Sequence, residues 1–307
     1  MPQPSLQPAV DDIADRQAEL AAIIRRFTPD LGVQPTAIGP LHFIRSDAPS
    51  DTLHMVHKPA LCVLAQGRKE VRLHGESYFY DPLNYLVVSV TLPLAGQVVE
   101  ASPEQPYLCA RIDIDPAQIT QLIADSSPIG VPAPPPGRGL FLDRVDSSLL
   151  DALLRLVRLL DTPQDIPMLA PMALREIFYR LLRGQQGQRL YELAVVDSQA
   201  HRVTRAIEWI NQHYIEPLRI EELAQRVNLG VSTLHHRFKA ITAMSPLQYQ
   251  KQLRLQEARR LLLAESLEVS AAAFRVGYES PSQFSREYSR LFGASPLKDL
   301  AKLRSLA

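Results

Sequence analysis

The sequence predicts an α+β protein: an antiparallel β domain with flanking helices, then an all-helical domain holding two helix-turn-helix motifs. Three observations lead there. Residues 41–114 divide into short apolar runs separated by turn residues, as many short antiparallel strands do. Beyond about residue 199 the apolar spacing lengthens to three and four, which is helical. Within that region one helical pattern is written twice, 49 residues apart before an internal turn and 50 after it.

Residues 1–9 are proline-rich and expected to be disordered. Residues 10–27 read as one amphipathic helix with Ile13, Leu20, Ile24 and Phe27 on one face. Asp11 and Asp12 at its start and Arg25 and Arg26 at its end suit the helix dipole. The strand-like runs are 41–44, 60–66, 70–73, 78–80, 85–91, 97–100 and 107–114. Between them, Gln66 and Gly67, His74 and Gly75, Asp81 and Pro82, and Ser102 and Pro103 supply turns. Such a sheet closes into a sandwich or small barrel able to hold one small ligand.

Residues 125–139 carry too many prolines for regular helix and read as a connector. Helices are expected over 146–161 and from about 171 to 183. In the first, Leu149, Leu153, Leu156 and Leu160 form one stripe, with Leu150, Leu154 and Val157 a second beside it. A helix packed on one side does not need so wide a band, so the pair is read as joining the sheet domain to a partner subunit, the plainer alternative being that both stripes are intradomain core. Gly184 to Gly187 and the polar stretch at Asp197 and Ser198 read as linker.

The first copy of the repeat covers 220–227, then Leu229 and Gly230, then Leu234, Phe238 and Ile241, ending at Ser245 and Pro246. The second covers 269–276, then Gly277 and Tyr278, then Phe284, Tyr288 and Leu291, ending at Ser295 and Pro296. Each is a short helix, a Gly-containing turn and a second helix, with the second turn one residue longer. Ser245 and Gln248 make a capping box with Pro246 at the first helical position, launching a helix over about 246–263. That helix is roughly 27 Å long, so second helices at its two ends fall near the ~34 Å major-groove repeat.

Burying Leu234, Phe238 and Ile241 turns Ser232, Thr233, His235, His236 and Lys239 outward. Burying Phe284, Tyr288 and Leu291 does the same for Ser282, Gln283, Arg286 and Arg290. Arg pairs bidentately with guanine and Gln with adenine, whereas Arg290 in the last turn and Lys298 suit phosphates. Plainer roles exist: Ser232 as an N-cap, Gln283 as a cap of its own helix, His235 and His236 as solvated surface. Neighbouring helix positions diverge by about 100 degrees, so the two histidines do not form a metal pair.

Net charge is zero, yet residues 200–307 carry 16 Lys and Arg against 10 Asp and Glu, and residues 1–199 carry 17 against 23. The split implies that the C-terminal half meets a polyanion. No run approaches about 18 apolar residues, so no membrane span is expected. The N-terminus reads as neither signal peptide nor targeting helix, which favours the cytoplasm. Cys62 and Cys109 lie in strand-like runs and read as small buried hydrophobes, with no disulfide expected without export.

The run VGYESPSQFSREYSRLFGASP over 276–296, with SPLQY over 245–249 and RLQEA over 254–258, resembles the AraC/XylS family of bacterial transcription regulators. The resemblance implies base contacts at Ser232, His235 and His236, and at Pro281, Ser282, Gln283 and Arg286. Two residues depart from the family pattern: Gly230 where Ser is common at the first recognition-helix cap, and Asp299 where Tyr is usual. The runs KPALCVLAQG (58–67), YLVVS (85–89), GQVVEASP (96–103) and YLCARIDID (107–115) resemble the cupin-like sensor domain of one branch. That implies a small-molecule effector in the barrel, with His54, His57, Cys62 and Tyr80 as candidate lining, and control of dimerisation or DNA affinity.

The expected organisation is an arm and helix (1–35), a cupin-like sensor barrel (36–145), a helical dimerisation and linker region (146–198) and a double helix-turn-helix domain (199–307). The expected function is promoter-DNA binding as a homodimeric regulator, an activator by family habit, with RNA polymerase as a partner by family analogy. Neither catalytic residue, cofactor nor metal is expected. A cupin metal enzyme with a DNA-binding appendage is one alternative. Against it, His54 and His57 are three apart, on opposite faces of a strand, where many cupins use His-x-His. The other alternative is an architectural DNA binder without an effector.

Overall fold

The computed structural model describes residues 10–125, 137–195, 198–265 and 267–304. The disorder expected for 1–9, most of the proline-rich connector and Asp197 lie outside the described residues. The expected first helix is α1 (Val10–Phe27). Strands follow as β1 (Gly32–Pro35), β2 (Leu41–Ser46), β3 (Leu53–His57), β4 (Ala60–Gln66) and β5 (Arg68–Leu73). Then come β6 (Glu76–Tyr80), β7 (Asn84–Val88), β8 (Leu92–Glu100) and β9 (Tyr107–Asp113). Helix α2 (Pro116–Asp125), strand β10 (Leu140–Arg144) and helices α3 (Ser147–Arg158), α4 (Ile166–Arg183) and α5 (Gly187–Ala194) complete this half.

The strands form two antiparallel sheets, ordered β1-β2-β9-β4-β7-β10 and β3-β8-β5-β6. The expected barrel thus takes the form of a two-sheet sandwich. Strand β4 shows why its run is apolar without alternation. Leu61, Val63 and Ala65 pack with the helices, while Cys62 and Leu64 pack between the sheets, so both faces are buried. Between β4 and β5, Gly67 has φ +84° and sits where a Cβ would lie 2.8 Å from the Glu100 carbonyl oxygen and 2.9 Å from the Tyr107 Cα. No other residue fits there.

Helices α1, α3 and α4 cover the six-stranded sheet. Here the expectation of a partner-facing α3 is corrected. Both of its leucine stripes, from Leu149 through Leu160, are buried within the chain, against α1, the sheet and α4. The band is wide because the helix has packed neighbours on several sides. Arg16 pairs with Asp151, Arg158 with Glu19 and Arg26 with Asp161 along the α1–α3 seam, mostly exposed pairs that add little stability. Helix α4 begins five residues before the expected start and carries Pro171 inside it. Its outer face leaves Met168 73% and Met172 64% exposed. The stretch read as linker is partly helix α5, which buries Leu190, Leu193 and Ala194.

The remaining chain is helical: α6 (Gln199–Gln212), α7 (Ile220–Arg226), α8 (Val231–Thr242), α9 (Pro246–Ala264), α10 (Val269–Arg275), α11 (Pro281–Phe292) and α12 (Pro296–Arg304). Its two halves are packed differently. Val203, Ile207, Leu234, Phe238 and Tyr249 share one continuous core with the space between the sheets. Leu255, Leu262, Val276, Phe284 and Tyr288 form a separate core around α10–α12.

Candidate nucleic-acid interface

The two helix-turn-helix units are built from equivalent parts. Helix α7 ends in a turn with Asn228 at φ 53°, and α10 ends with Gly277 at φ 87°. In each, an amide after the turn donates back into the first helix, Leu229 to Ala224 and Tyr278 to Ala273. The next helix starts at N-cap Gly230 in the first unit and Ser280 in the second. The extra residue of the second turn therefore lies between the left-handed position and the cap.

Helix α8 buries Leu234, Phe238, Ile241 and Thr242, so Ser232, His236 and Lys239 are exposed while His235 is half-buried. Ser232 is not the cap; Gly230 is, with no side-chain bond. Helix α11 buries Phe284 and Tyr288 and exposes Ser282, Gln283, Arg286 and Arg290, with Pro281 half-buried at its first position. Gln283 donates its backbone N–H to Ser280 Oγ, and its side-chain amide lies 3.4 Å from Glu287 rather than folding back on the cap as Gln248 does in α9. Ser232, His236, Lys239 and Arg286 have no side-chain hydrogen bond or ion pair among the described residues.

Helix α9 spaces the two units. Its 19 residues span about 28 Å. It is buried on several sides, which explains why its sequence shows no single apolar stripe. Arg254 locks the spacing. Its guanidinium donates to the carbonyls of Tyr214 (2.6 Å), Ile215 (2.9 Å) and Glu216 (3.0 Å) after α6, and to Gly277 (2.8 Å) in the second turn. Gln250 adds bonds to Tyr214 and Glu216. Burial lowers the Arg254 pKa from its ordinary value, yet a guanidinium stays charged. Sequence reasoning placed Arg254 in a family run without giving it a role; an arginine amid the leucines of a helix with no polar face was the available signal.

The sheet half touches both units. Gly139 N–H donates to the Ile241 carbonyl (2.9 Å), and Tyr249 Oη donates to the Thr91 carbonyl (2.7 Å). On the second unit, the His54 ring meets Phe292 edge-on at 5.0 Å. Burial first, then the Arg259 and Arg72 guanidiniums, push His54 down to about 4, so it is neutral at neutral pH. Beside this contact lies a cleft of about 840 Å³ between the four-stranded sheet and helices α9 and α11, and Arg290 lines it.

Residues 37–189 match the family described as AraC-type transcriptional regulator N-terminus, and residues 223–301 match a helix-turn-helix domain family. The chain belongs to the AraC/XylS family. It is 30% identical over 154 residues to the HTH-type transcriptional activator RhaS of Escherichia coli, a match covering 50% of this chain and 55% of RhaS. The chain thus spans about half the length of the curated relatives it matches. Its fold is similar to an apo form of ToxT from Vibrio cholerae strain SCE256, with TM-score 0.57 at 11% identity over 87% of this chain and 98% of that one. It is also similar to ToxT of that strain bound to an unsaturated fatty acid, with TM-score 0.52 at 10% identity over 84% and 94%.

Both departures of this AraC/XylS-family chain now have a physical account. Gly230 caps α8 by its backbone alone, the Leu234 N–H donating to its carbonyl at 2.9 Å. Asp299 is buried, takes two bonds from Arg259 at 2.8 and 2.9 Å and accepts from Tyr288 Oη at 2.7 Å. A tyrosine there leaves Arg259 unpaired.

The four candidate ligand residues do not share one chamber. His54 faces the cleft. His57, three along β3, does not line that cleft and has its Nδ1 2.7 Å from the Lys58 carbonyl. Cys62 and Tyr80 lie in the core between the sheets with Tyr107 and Cys109. Both cysteines are free thiols. The hydrogen bond with Cys62, and then burial, raise the Cys109 pKa. Among the described residues no three His, Cys, Asp or Glu groups gather as a metal site, and no helix is long and apolar enough to cross a membrane.

Proposed function

We propose that this chain is a sequence-specific DNA-binding transcription regulator, acting as an activator under the control of a small molecule received by its N-terminal half. The carrying observation is the pair of outward helix faces, Ser232–His236–Lys239 and Arg286, without side-chain hydrogen bonds or ion pairs among the described residues, on two units spaced by one locked helix. Helices so spaced fit successive major grooves on one side of a duplex. In this reading Arg286 and Gln283 read bases, with Ser232, His235, His236, Pro281 and Ser282 beside them, while Lys239 serves phosphate.

RhaS is named an activator, and a ToxT structure holds a fatty acid; both support the reading by analogy. A second copy of the chain is proposed to dock on the exposed Met168 and Met172 face of α4, with RNA polymerase as the further partner on DNA and the cytoplasm as the place of action. No catalytic step is proposed.

The test is titration of the purified chain against DNA from upstream of its own and neighbouring genes across a salt series. The expected result is selective binding that weakens steeply as salt rises. Equal affinity for unrelated duplexes, or none, would sink the proposal. Turnover by the intact chain would favour the enzyme alternative.

A further inference from the structure

Resting on the regulator reading, we propose that the cleft between the outer face of the four-stranded sheet and helices α9 and α11 is where the small molecule binds. It takes a small organic carboxylate with an apolar body. The sheet supplies Arg72 and His54, which flank Ala95 in register on the face turned away from the inter-sheet core. The helices supply Gln256, Arg290, Leu291 and Phe292. Its volume of about 840 Å³ lies within the range of small-molecule sites.

Three features fix the chemistry. Gln256 is only 7% exposed and lines the cleft, yet its Oε1 has no hydrogen-bond partner. A buried amide left unsatisfied is costly, and the ligand's polar end meets that demand, since either end of the amide can be turned to it. Charge comes next. Lys251 is already paired with Glu287 at 2.9 Å, and Arg72 donates to Thr52 Oγ1 at 2.7 Å and stands 3.9 Å from Glu70, but Arg290 has no hydrogen-bond or ion-pair partner among the described residues. The surplus is cationic and forked, which suits a carboxylate. Last, Leu255, Leu291 and Phe292 give the rest of the wall an apolar surface.

Occupation has a mechanical consequence. The first helix-turn-helix shares a core with the sheets, whereas the second has its own and meets the sheet half at His54–Phe292 and at the Lys302–Asp51 ion pair. A ligand held by Arg72 on one wall and by Gln256 and Arg290 on the other ties the sheet half to the second unit, whose spacing from the first Arg254 already sets.

The experiment is calorimetric titration of the full chain with sodium octanoate and sodium benzoate, with their alcohols octanol and benzyl alcohol, and with inorganic phosphate. At least one carboxylate is expected to bind, with the alcohol of the same skeleton and phosphate at least about tenfold weaker. Gln256→Leu and Arg290→Gln are each expected to weaken that carboxylate about tenfold or more, while Val33→Ala on β1, exposed in the other sheet, leaves it unchanged. Should Gln256→Leu not fold, Arg72→Gln takes its place beside Arg290→Gln. The proposal is overturned if neither carboxylate binds, if alcohol or phosphate binds as tightly, or if both variants keep wild-type affinity. DNA retention is measured in parallel. Selective DNA binding without a carboxylate response sinks the cleft and spares the regulator, and the reverse result does the opposite.

Discussion

Arg138 donates to the backbone carbonyl of Lys239 at 3.0 Å and to that of Ala240 at 2.6 Å. Both lie in the last turn of α8, where the Lys239 carbonyl also accepts from the Ala243 N–H at 2.9 Å. The same guanidinium grips Glu76 on β6, so the sheet half caps the helix that faces outward in the first unit. Arg138→Ala is expected to cost about 1–3 kcal/mol, seen in urea unfolding, and to speed amide exchange in the last turn of α8. Unchanged exchange there would show that the cap does not hold the helix.

Gly277 admits no side chain. A Cβ would stand 2.2 Å from the Ile215 carbonyl oxygen, on a backbone with φ +87°. Gly277→Ala should destabilise the chain by more than about 2 kcal/mol, since left-handed strain of about 1–2 kcal/mol adds to the clash. A melting temperature equal to wild type would refute the geometry of this turn.

Removing the Arg254 fork leaves carbonyls on both units without donors. Arg254→Met is expected to cost about 2–4 kcal/mol and to lower selective DNA affinity more than nonspecific affinity. A purely global role would lower both alike.

Arg286→Ala should cost about 1–3 kcal/mol of DNA binding and relax specificity at one base position, read from a set of single-base variants of the site. A uniform loss across all sequences would assign Arg286 to phosphate instead.

His54 links stability to pH. Its folded pKa, about 4, lies below the unfolded value near 6.5, so the unfolded chain binds the proton more readily across that window. Its contribution is complete above about 6.5 and is lost as pH falls toward 4. Going from pH 7 to 4.5, wild type should lose more stability than His54→Phe, which keeps a ring against Phe292. Parallel losses would remove His54 from the account.

Much of the fold was legible because its signals are local. The Ser245–Gln248 capping box is present as both reciprocal bonds, and Ser280 caps α11 through the Gln283 amide. The 3.6-residue stripe of α8 places Ser232, His236 and Lys239 outside because Leu234, Phe238 and Ile241 go in. Less legible were β10, α2 and α5. Strand β10 exists through its pairing with β7, and its Asp143 is buried only because Tyr85 Oη (3.2 Å) and the Gln186 amide (3.1 Å) reach it from elsewhere. The α3 stripes were read as a surface for another chain because a sequence shows how wide an apolar band is, not what covers it.

The amino-acid order alone determined most of the strands of the sheet half and the helices of the repeat, where the repeated unit turns, and which side chains of each second helix face outward. Those properties depend on neighbours within about one helical turn. Only the tertiary structure decided that α3 stays inside, that the first unit fuses with the sheet core while the second keeps its own, and that Arg72 and Gln256 face one cleft. Each of these joins residues far apart in the chain, through surfaces that exist only once both elements have formed and packed.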